Sequence, residues 1–311
     1  MRVVFFGSTQ FSVKFLEELK KTEEVVLVVT SPPQRKGRGL KYKSTPVEEY
    51  ALRNNLEVIY LESLDIYESK KKISSKNPDL FFVSEYGKIL SKDLLEIPSI
   101  FGVNFHPSLL PRFRGPSPVN WQIIKGEKIA GITFHKIEEK VDAGPIIYQE
   151  ELPILENEDA LSLHNRLVEL GVKRLGLVLN KLKNKNFTLT PQDETQTTFT
   201  PLLTKEMGRI NWNKSAQEIF NLIRGLKPWP QTYTYFRKKR LKIVWAKLHT
   251  SSSLPPDLKN GQIFKVCKDY FVVKCGQGGL EMLKLQPESK RILTAQEFIC
   301  GYHPQVGETF E

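Results

Sequence analysis

The chain is 311 residues long, with 40% hydrophobic and 26% charged residues, 19 Gly, 19 Pro and a formal net charge of +11. That size suits about two domains, and the composition is neither collagen-like nor disordered. No run of about 18 apolar residues provides a membrane helix, the start is too short in apolar residues for a signal peptide, and three cysteines without CxxC spacing favour neither disulfides nor zinc, so a cytoplasmic chain with no membrane partner is expected.

In chain order, Arg2–Phe6 is an apolar run ending at Gly7, and a helix with Phe11, Phe15 and Leu19 on one face follows. Glu24–Val29 reads as a strand, Pro46–Arg53 as a helix, Leu56–Tyr60 as a strand and Ser69–Lys76 as a helix. Leu80–Val83 and Phe101–Phe105 are further strands, and Val119–Lys125 a helix. Strands alternating with helices imply βαβ units and a mainly parallel, doubly wound α/β sheet. Ile132–Ile137 and Pro145–Glu150 read as a β-pair, and Asn157-Glu158-Asp159 caps a long helix running to about Leu182. Thr188 to Thr204 is rich in Thr, Gln and Pro without helical period, and reads as a linker. A helix at Ala216–Arg224 is followed by short strands at Thr232–Phe236, Leu241–Ala246, Gly261–Val266, Phe271–Lys274 and Gly279–Leu285, which suggest a small β-barrel. The expected organisation is a first domain over 1–187, a linker over 188–205 and a barrel domain over 206–311.

The positive charge is unevenly placed. Residues 206–311 hold 17 Lys+Arg against 9 Asp+Glu. The stretch Gln34–Lys43 adds five basic residues (Arg35, Lys36, Arg38, Lys41 and Lys43) and no acid. The densest run is Arg237-Lys238-Lys239-Arg240, with Lys242 beyond it. Two basic regions of this kind point to nucleic-acid phosphates, although each one alone reads first as a solvated surface.

Several motifs are missing. The turn at Gly7 lacks the G-x-G-x-x-G spacing of a dinucleotide site, and no Walker A, HExxH or GxSxG motif occurs. The five histidines show no metal-ligand spacing, so no metal is expected. The informative feature is Asn104 and His106, two residues apart at the end of a predicted strand, with both side chains on one side. Sites of doubly wound folds sit at the C-terminal ends of their strands. An amide can donate to an oxygen becoming negative, and a histidine can move a proton near neutral pH. Asp142, in a turn able to fold back over that strand end, is the candidate to orient the histidine. No Ser or Cys nucleophile stands out, which favours direct transfer to an external acceptor. A polar strand end with a satisfied histidine is the alternative.

Val103-Asn104-Phe105-His106-Pro107-Ser108-Leu109-Leu110-Pro111-Arg112-Phe113-Arg114-Gly115 resembles the signature of the 10-formyltetrahydrofolate-dependent formyltransferases, and Val141-Asp142-Ala143-Gly144 resembles its second half. The resemblance implies a catalytic set of Asn104, His106 and Asp142. It implies a folate pocket lined by Ser108, Leu109, Leu110 and Pro111, with Ile89 of Tyr86-Gly87-Lys88-Ile89-Leu90 on the pterin side. It implies 10-formyltetrahydrofolate as donor co-substrate. Pro191-Gln192, Thr200–Trp212 and Ile223–Pro230 are similar to the linker and C-terminal domain of the methionyl-tRNA formyltransferase family. That branch implies a Rossmann-like catalytic domain, an OB-like C-terminal barrel and initiator methionyl-tRNA as acceptor. It also implies that Arg35, Lys36, Arg38, Lys41 and Lys43 engage the acceptor end of the tRNA, with Arg224 and Arg237–Lys242 as barrel contacts. Asn211 and Gln231 depart from the family pattern. Two alternatives stay open: a sugar-nucleotide formyltransferase with the same catalytic residues, and a catalytically silent RNA-binding protein. No heptad or long apolar edge calls for a partner subunit, so a monomer is expected.

Overall fold

The computed structural model describes residues 1–36, 41–61, 66–250 and 257–311. The chain forms two compact units that interleave in sequence. One comprises Met1–Gly115, Ile129–Pro153 and His164–Thr200, and the other Pro116–Lys128, Ile154–Leu163 and Pro201–Glu311.

The first half runs β1 (Arg2–Gly7), α1 (Gln10–Thr22), β2 (Glu24–Thr30), β3 (Gln34–Lys36), β4 (Lys41–Lys43), α2 (Pro46–Arg53), β5 (Val58–Tyr60), α3 (Ile66–Ser75), β6 (Leu80–Ser84), α4 (Lys92–Leu95), β7 (Phe101–His106), α5 (Pro118–Ile124), β8 (Ile129–Lys136), β9 (Ile146–Pro153) and α6 (Ala160–Lys183). Seven strands of the first unit form one sheet in the order β5-β2-β1-β6-β7-β8-β9. The β1, β2, β5, β6 and β7 pairings are parallel, while β8 and β9 are antiparallel. The parallel strands are continuous apolar runs because both faces are covered. Phe5, Phe6, Phe15, Phe81, Phe82, Phe105 and Phe134 are fully buried, each worth about 1.5–3 kcal/mol relative to exposure. Helix α1 begins where expected because Thr9 and Ser12 form a capping box, and it buries Val13, Phe15, Leu16 and Leu19 on one face. The short antiparallel pair β3–β4 lies within the basic stretch Gln34–Lys43.

The second unit carries α5, α7 (Ala216–Gly225), β10 (Thr232–Phe236), β11 (Lys239–Leu248), β12 (Ile263–Val266), β13 (Phe271–Lys274), β14 (Gly279–Pro287), β15 (Leu293–Thr294) and α8 (Ala295–Tyr302). The antiparallel order is β10-β11-β14-β13-β12, with β15 beside β14. Residues 307–311 join the two outer strands. The N–H of Phe310 donates to the carbonyl of Gly261, next to β12, and Glu311 and Tyr235 of β10 exchange both backbone bonds at 3.0 Å. Phe310 is 2% exposed and packs on Trp212, Phe236 and Phe271. The antiparallel strands are thus closed around an aromatic core. Among the described residues no helix is long and apolar enough to cross a membrane.

Candidate active site

Strand β7 ends with Asn104 and His106 on one face, as the two-residue period requires. Asp142 reaches them from the turn between β8 and β9. Its Oδ1 accepts from Asn104 Nδ2 at 3.3 Å, its Oδ2 lies 3.6 Å from His106 Nδ1, and its Oδ2 accepts from the Gly115 N–H at 2.9 Å. Asp142 sits at φ +51°, a left-handed conformation that Asp tolerates. Gly144 permits the fold-back, since a Cβ there would collide with the Lys136 carbonyl. The structure therefore brings together the three residues singled out for chemistry.

A fourth residue belongs to this cluster. In the antiparallel β7–β8 register, His135 lies directly opposite Asn104 and Thr133 opposite His106, so all four side chains share a face. His135 Nδ1 lies 2.8 Å from the Lys136 carbonyl, which can only accept. The proton of the neutral ring is therefore on Nδ1, and Nε2 accepts from Asn104 Nδ2 at 3.1 Å. Both N–H bonds of the Asn104 amide are thus engaged, one by His135 and one by Asp142. The available signal was the alternation of apolar Ile132 and Phe134 with polar Thr133 and His135; the cross-strand register is not readable from local spacing.

His106 is 4% exposed. Burial pushes its pKa below the usual imidazole value, against the opposing pull of Asp142. Its Nε2–H donates to the Phe113 carbonyl at 2.9 Å, so Nδ1 carries the lone pair facing Asp142. Burial pushes the Asp142 carboxyl up, but the charge that His106 and His135 carry when protonated, with the Gly115 N–H, holds it below the ordinary carboxylate range. The two directions conflict if His106 supplies the charge that lowers Asp142. With His106 neutral, the bonds that favour the Asp142 carboxylate are those from the Gly115 N–H and the Asn104 amide.

The loop after β7 is held from within. Ser108 is fully buried and its Oγ donates to the Arg112 carbonyl at 2.8 Å. Leu110 is buried, its N–H donates to Thr133 Oγ1 and its carbonyl accepts from Gln149 Nε2. Leu109 and Pro111 are half-buried. Ile89 is 76% exposed. Phe113, at φ +62°, is held through its N–H on Thr198 Oγ1 and its carbonyl on His106. Arg114 is fully buried, and its guanidinium bonds to Gln192 and Glu194. Residues 190–200 thus run along the site: Thr190 pairs with Ile146, Thr198 and Thr200 pair with Arg114, and Gln192 bonds into the Asp142 turn.

The basic groups divide. Arg35 pairs in register with Tyr42 and Lys36 with Lys41, Lys43 is exposed and Tyr42 is 69% exposed. Arg38 lies outside the described residues. Arg224 does not fit the expectation of a phosphate contact. It is 5% exposed, with Nη1 donating to the Glu158 carbonyl at 2.9 Å and Nη2 to Asn221 Oδ1 at 2.7 Å. Arg237 is tied to Glu308 and to the Tyr302 and His303 carbonyls, whereas Lys238 and Lys239 are exposed. Arg240 lies 3.8 Å over the ring of Tyr233. No group of three or more His, Cys, Asp or Glu among the described residues is arranged to hold a metal ion.

Comparison with known proteins decides between the open alternatives. The formyl transferase family model matches residues 1–179, and the model for the formyl transferase C-terminal domain matches residues 202–303. The chain belongs to the formyl transferase family. A methionyl-tRNA formyltransferase of Acetivibrio thermocellus is 40% identical over 99% of both chains. One from Caldanaerobacter subterraneus is 38% identical over 97% of both. Among solved structures, an N-formyltransferase from Helicobacter canadensis superposes with TM-score 0.67 at 22% identity, covering 92% of this chain and 99% of that one. At that identity the likeness speaks for the fold.

Proposed function

We propose that this chain transfers a formyl group from 10-formyltetrahydrofolate to the α-amino group of methionine on initiator methionyl-tRNA, acting as a cytoplasmic monomer in translation initiation. The observation that carries the reading is the meeting of Asn104, His106 and Asp142 at the end of β7 in a chain whose full-length relatives carry that name. Residues 206–311, with β3 and β4, are the basic parts that would hold tRNA phosphates.

The residues present fit a folate. Ile89, Leu109 and Pro111 offer apolar surface, and the pinned loop from Ser108 to Arg112 offers a fixed edge. The bound folate would supply an activated formyl carbon. The acceptor amine must be neutral to attack it. Asn104 would donate one N–H to the formyl oxygen as that oxygen gains charge, exchanging its bond to His135 or Asp142. His106 Nδ1 holds the free lone pair and would take up the proton that the amine sheds. Asp142 Oδ2, 3.6 Å away, would balance the resulting imidazolium. That proton returns to N10 as its bond to the formyl carbon breaks, so the amine ends as a formamide and N10 regains N–H.

The test is purified protein with 10-formyltetrahydrofolate and, in parallel, charged initiator tRNA, charged elongator tRNA or a nucleotide-linked amino sugar. Formyl-methionine on initiator tRNA is expected. Formylation of the sugar alone would replace the acceptor assignment, and no transfer to any acceptor would overturn the reading.

A further inference from the structure

We propose that Gln192 is a positioning residue for formyl transfer, setting the Asp142 turn from outside the reacting groups; the inference rests on the formyl-transfer reading above. The hydrogen bonds of the Gln192 side chain go to Arg114, Asp142 and Gly144 rather than to Asn104 or His106. Its Nε2 donates to the Asp142 carbonyl at 2.8 Å and to the Gly144 carbonyl at 2.7 Å, using both amide hydrogens. Its Oε1 accepts from Arg114 Nε at 3.0 Å and Nη2 at 2.7 Å. Arg114 has no acceptor, so the guanidinium permits one orientation of the amide only. In that orientation both hydrogens face the turn. The side chain is therefore matched at both ends.

The turn needs this restraint. Asp142 holds a positive φ, and the two carbonyls flanking Ala143 converge on one donor. Glu194 adds a second tie, accepting from Arg114 Nη1 and Nη2 and from Lys140 Nζ at 3.0 Å. Thr190 adds a third, exchanging backbone bonds with Ile146. The stretch 139–146 is thus fixed at Lys140, at Asp142 and Gly144, and at Ile146. Gln192 is the tie on the two residues whose placement sets the carboxylate relative to His106. Sequence pattern makes this segment a spacer between domains, whereas its side chains form one wall of the site.

Gln192→Glu keeps an acceptor for Arg114 but removes both donors and turns lone pairs toward two carbonyls. Gln192→Asn keeps every group on a stem one carbon shorter. A displacement of about 1 Å at a reacting group can cost on the order of 100-fold in rate. We expect Gln192→Glu to lower kcat about 10- to 100-fold with the KM values for tRNA and folate unchanged. The acid limb of kcat should also move to lower pH. Asp142 and His135 are the titratable groups facing His106, and a carboxylate drawn away no longer raises the His106 pKa. Gln192→Asn should fall between wild type and Gln192→Glu, and it serves as the variant of record if Gln192→Glu does not fold. A lower Tm with wild-type kcat per folded molecule and an unmoved pH profile would overturn the inference, leaving Gln192 as packing. A rise in KM alone would overturn it as well. An inactive wild-type protein would instead overturn the formyl-transfer reading and this inference with it.

Discussion

Replacing Asp142 by Asn tests the reacting geometry most directly. The substitution keeps size and an acceptor for the Gly115 N–H but removes the charge facing His106. At 3.6 Å, an imidazolium–carboxylate pair is worth about 5 kcal/mol at an effective dielectric constant of about 20. A neutral amide keeps a minor part of that. A loss of about 4 kcal/mol in the step where His106 is charged corresponds to roughly a 10³-fold slower transfer. The pH profile moves with a definite sign. Burial already holds His106 below its usual value and Asp142 opposes that, so the variant should place the acid limb of kcat lower still. Stability should respond separately. The depressed pKa of Asp142 stabilises the fold above the unfolded-state value of about 4 and fades as pH falls, so Asp142→Asn should flatten stability on the acid side. Single-turnover formylation across pH, with thermal unfolding of the same samples, reads all three. A plateau rate within tenfold of wild type, or an acid limb moved upward, would refute the assignment of His106 Nδ1 as proton acceptor.

Two further outcomes follow from the basic groups. Replacing Arg35, Lys36 and Arg38 together by Ala should raise the KM for tRNA, reduce its salt dependence and leave the KM for folate unchanged; an unchanged tRNA KM would remove β3–β4 from the acceptor site. Arg224→Met should destabilise the second unit by about 2–4 kcal/mol, because the Glu158 carbonyl and Asn221 lose a buried charged donor, without changing the salt dependence of tRNA binding. Wild-type stability with weakened tRNA binding would return Arg224 to the phosphate contacts.

The strands of the first unit and of the barrel follow closely from apolar runs and turn residues, because buried parallel strands and half-buried antiparallel strands leave strong local patterns, whereas the order of the strands within each sheet is set by long-range pairing. Pro46–Arg53, Thr232–Phe236 and Phe271–Lys274 coincide with the observed elements. Elements whose cues are weaker are not anticipated. The basic residues of β3 and β4 show no apolar alternation. Helix α8 lies beyond the last expected strand although Thr294 and Glu297 form a capping box at its start. At the site, Asn104, His106 and Asp142 were legible because a two-residue spacing and a Gly-containing turn carry them. His135 and Gln192 were not, because their positions depend on cross-strand register and on a segment folding back over about 50 residues of chain. Arg224 shows the reverse error, in which a charge counted toward a partner is spent inside the fold.

The bonds made by residues 307–311 have a consequence for the behaviour of the protein in solution. With them in place, β10 and β12 each have a neighbour on both sides. Without them, β12 would become an open edge and β10 would keep only the bridge from Arg209 and Ile210 to Tyr233, leaving unpaired N–H and C=O groups beside an uncovered aromatic core. Such edges are templates for intermolecular pairing. Damage at Phe310 or Glu311 should therefore appear first as self-association of the protein, before any change in its chemistry at Asn104, His106 and Asp142.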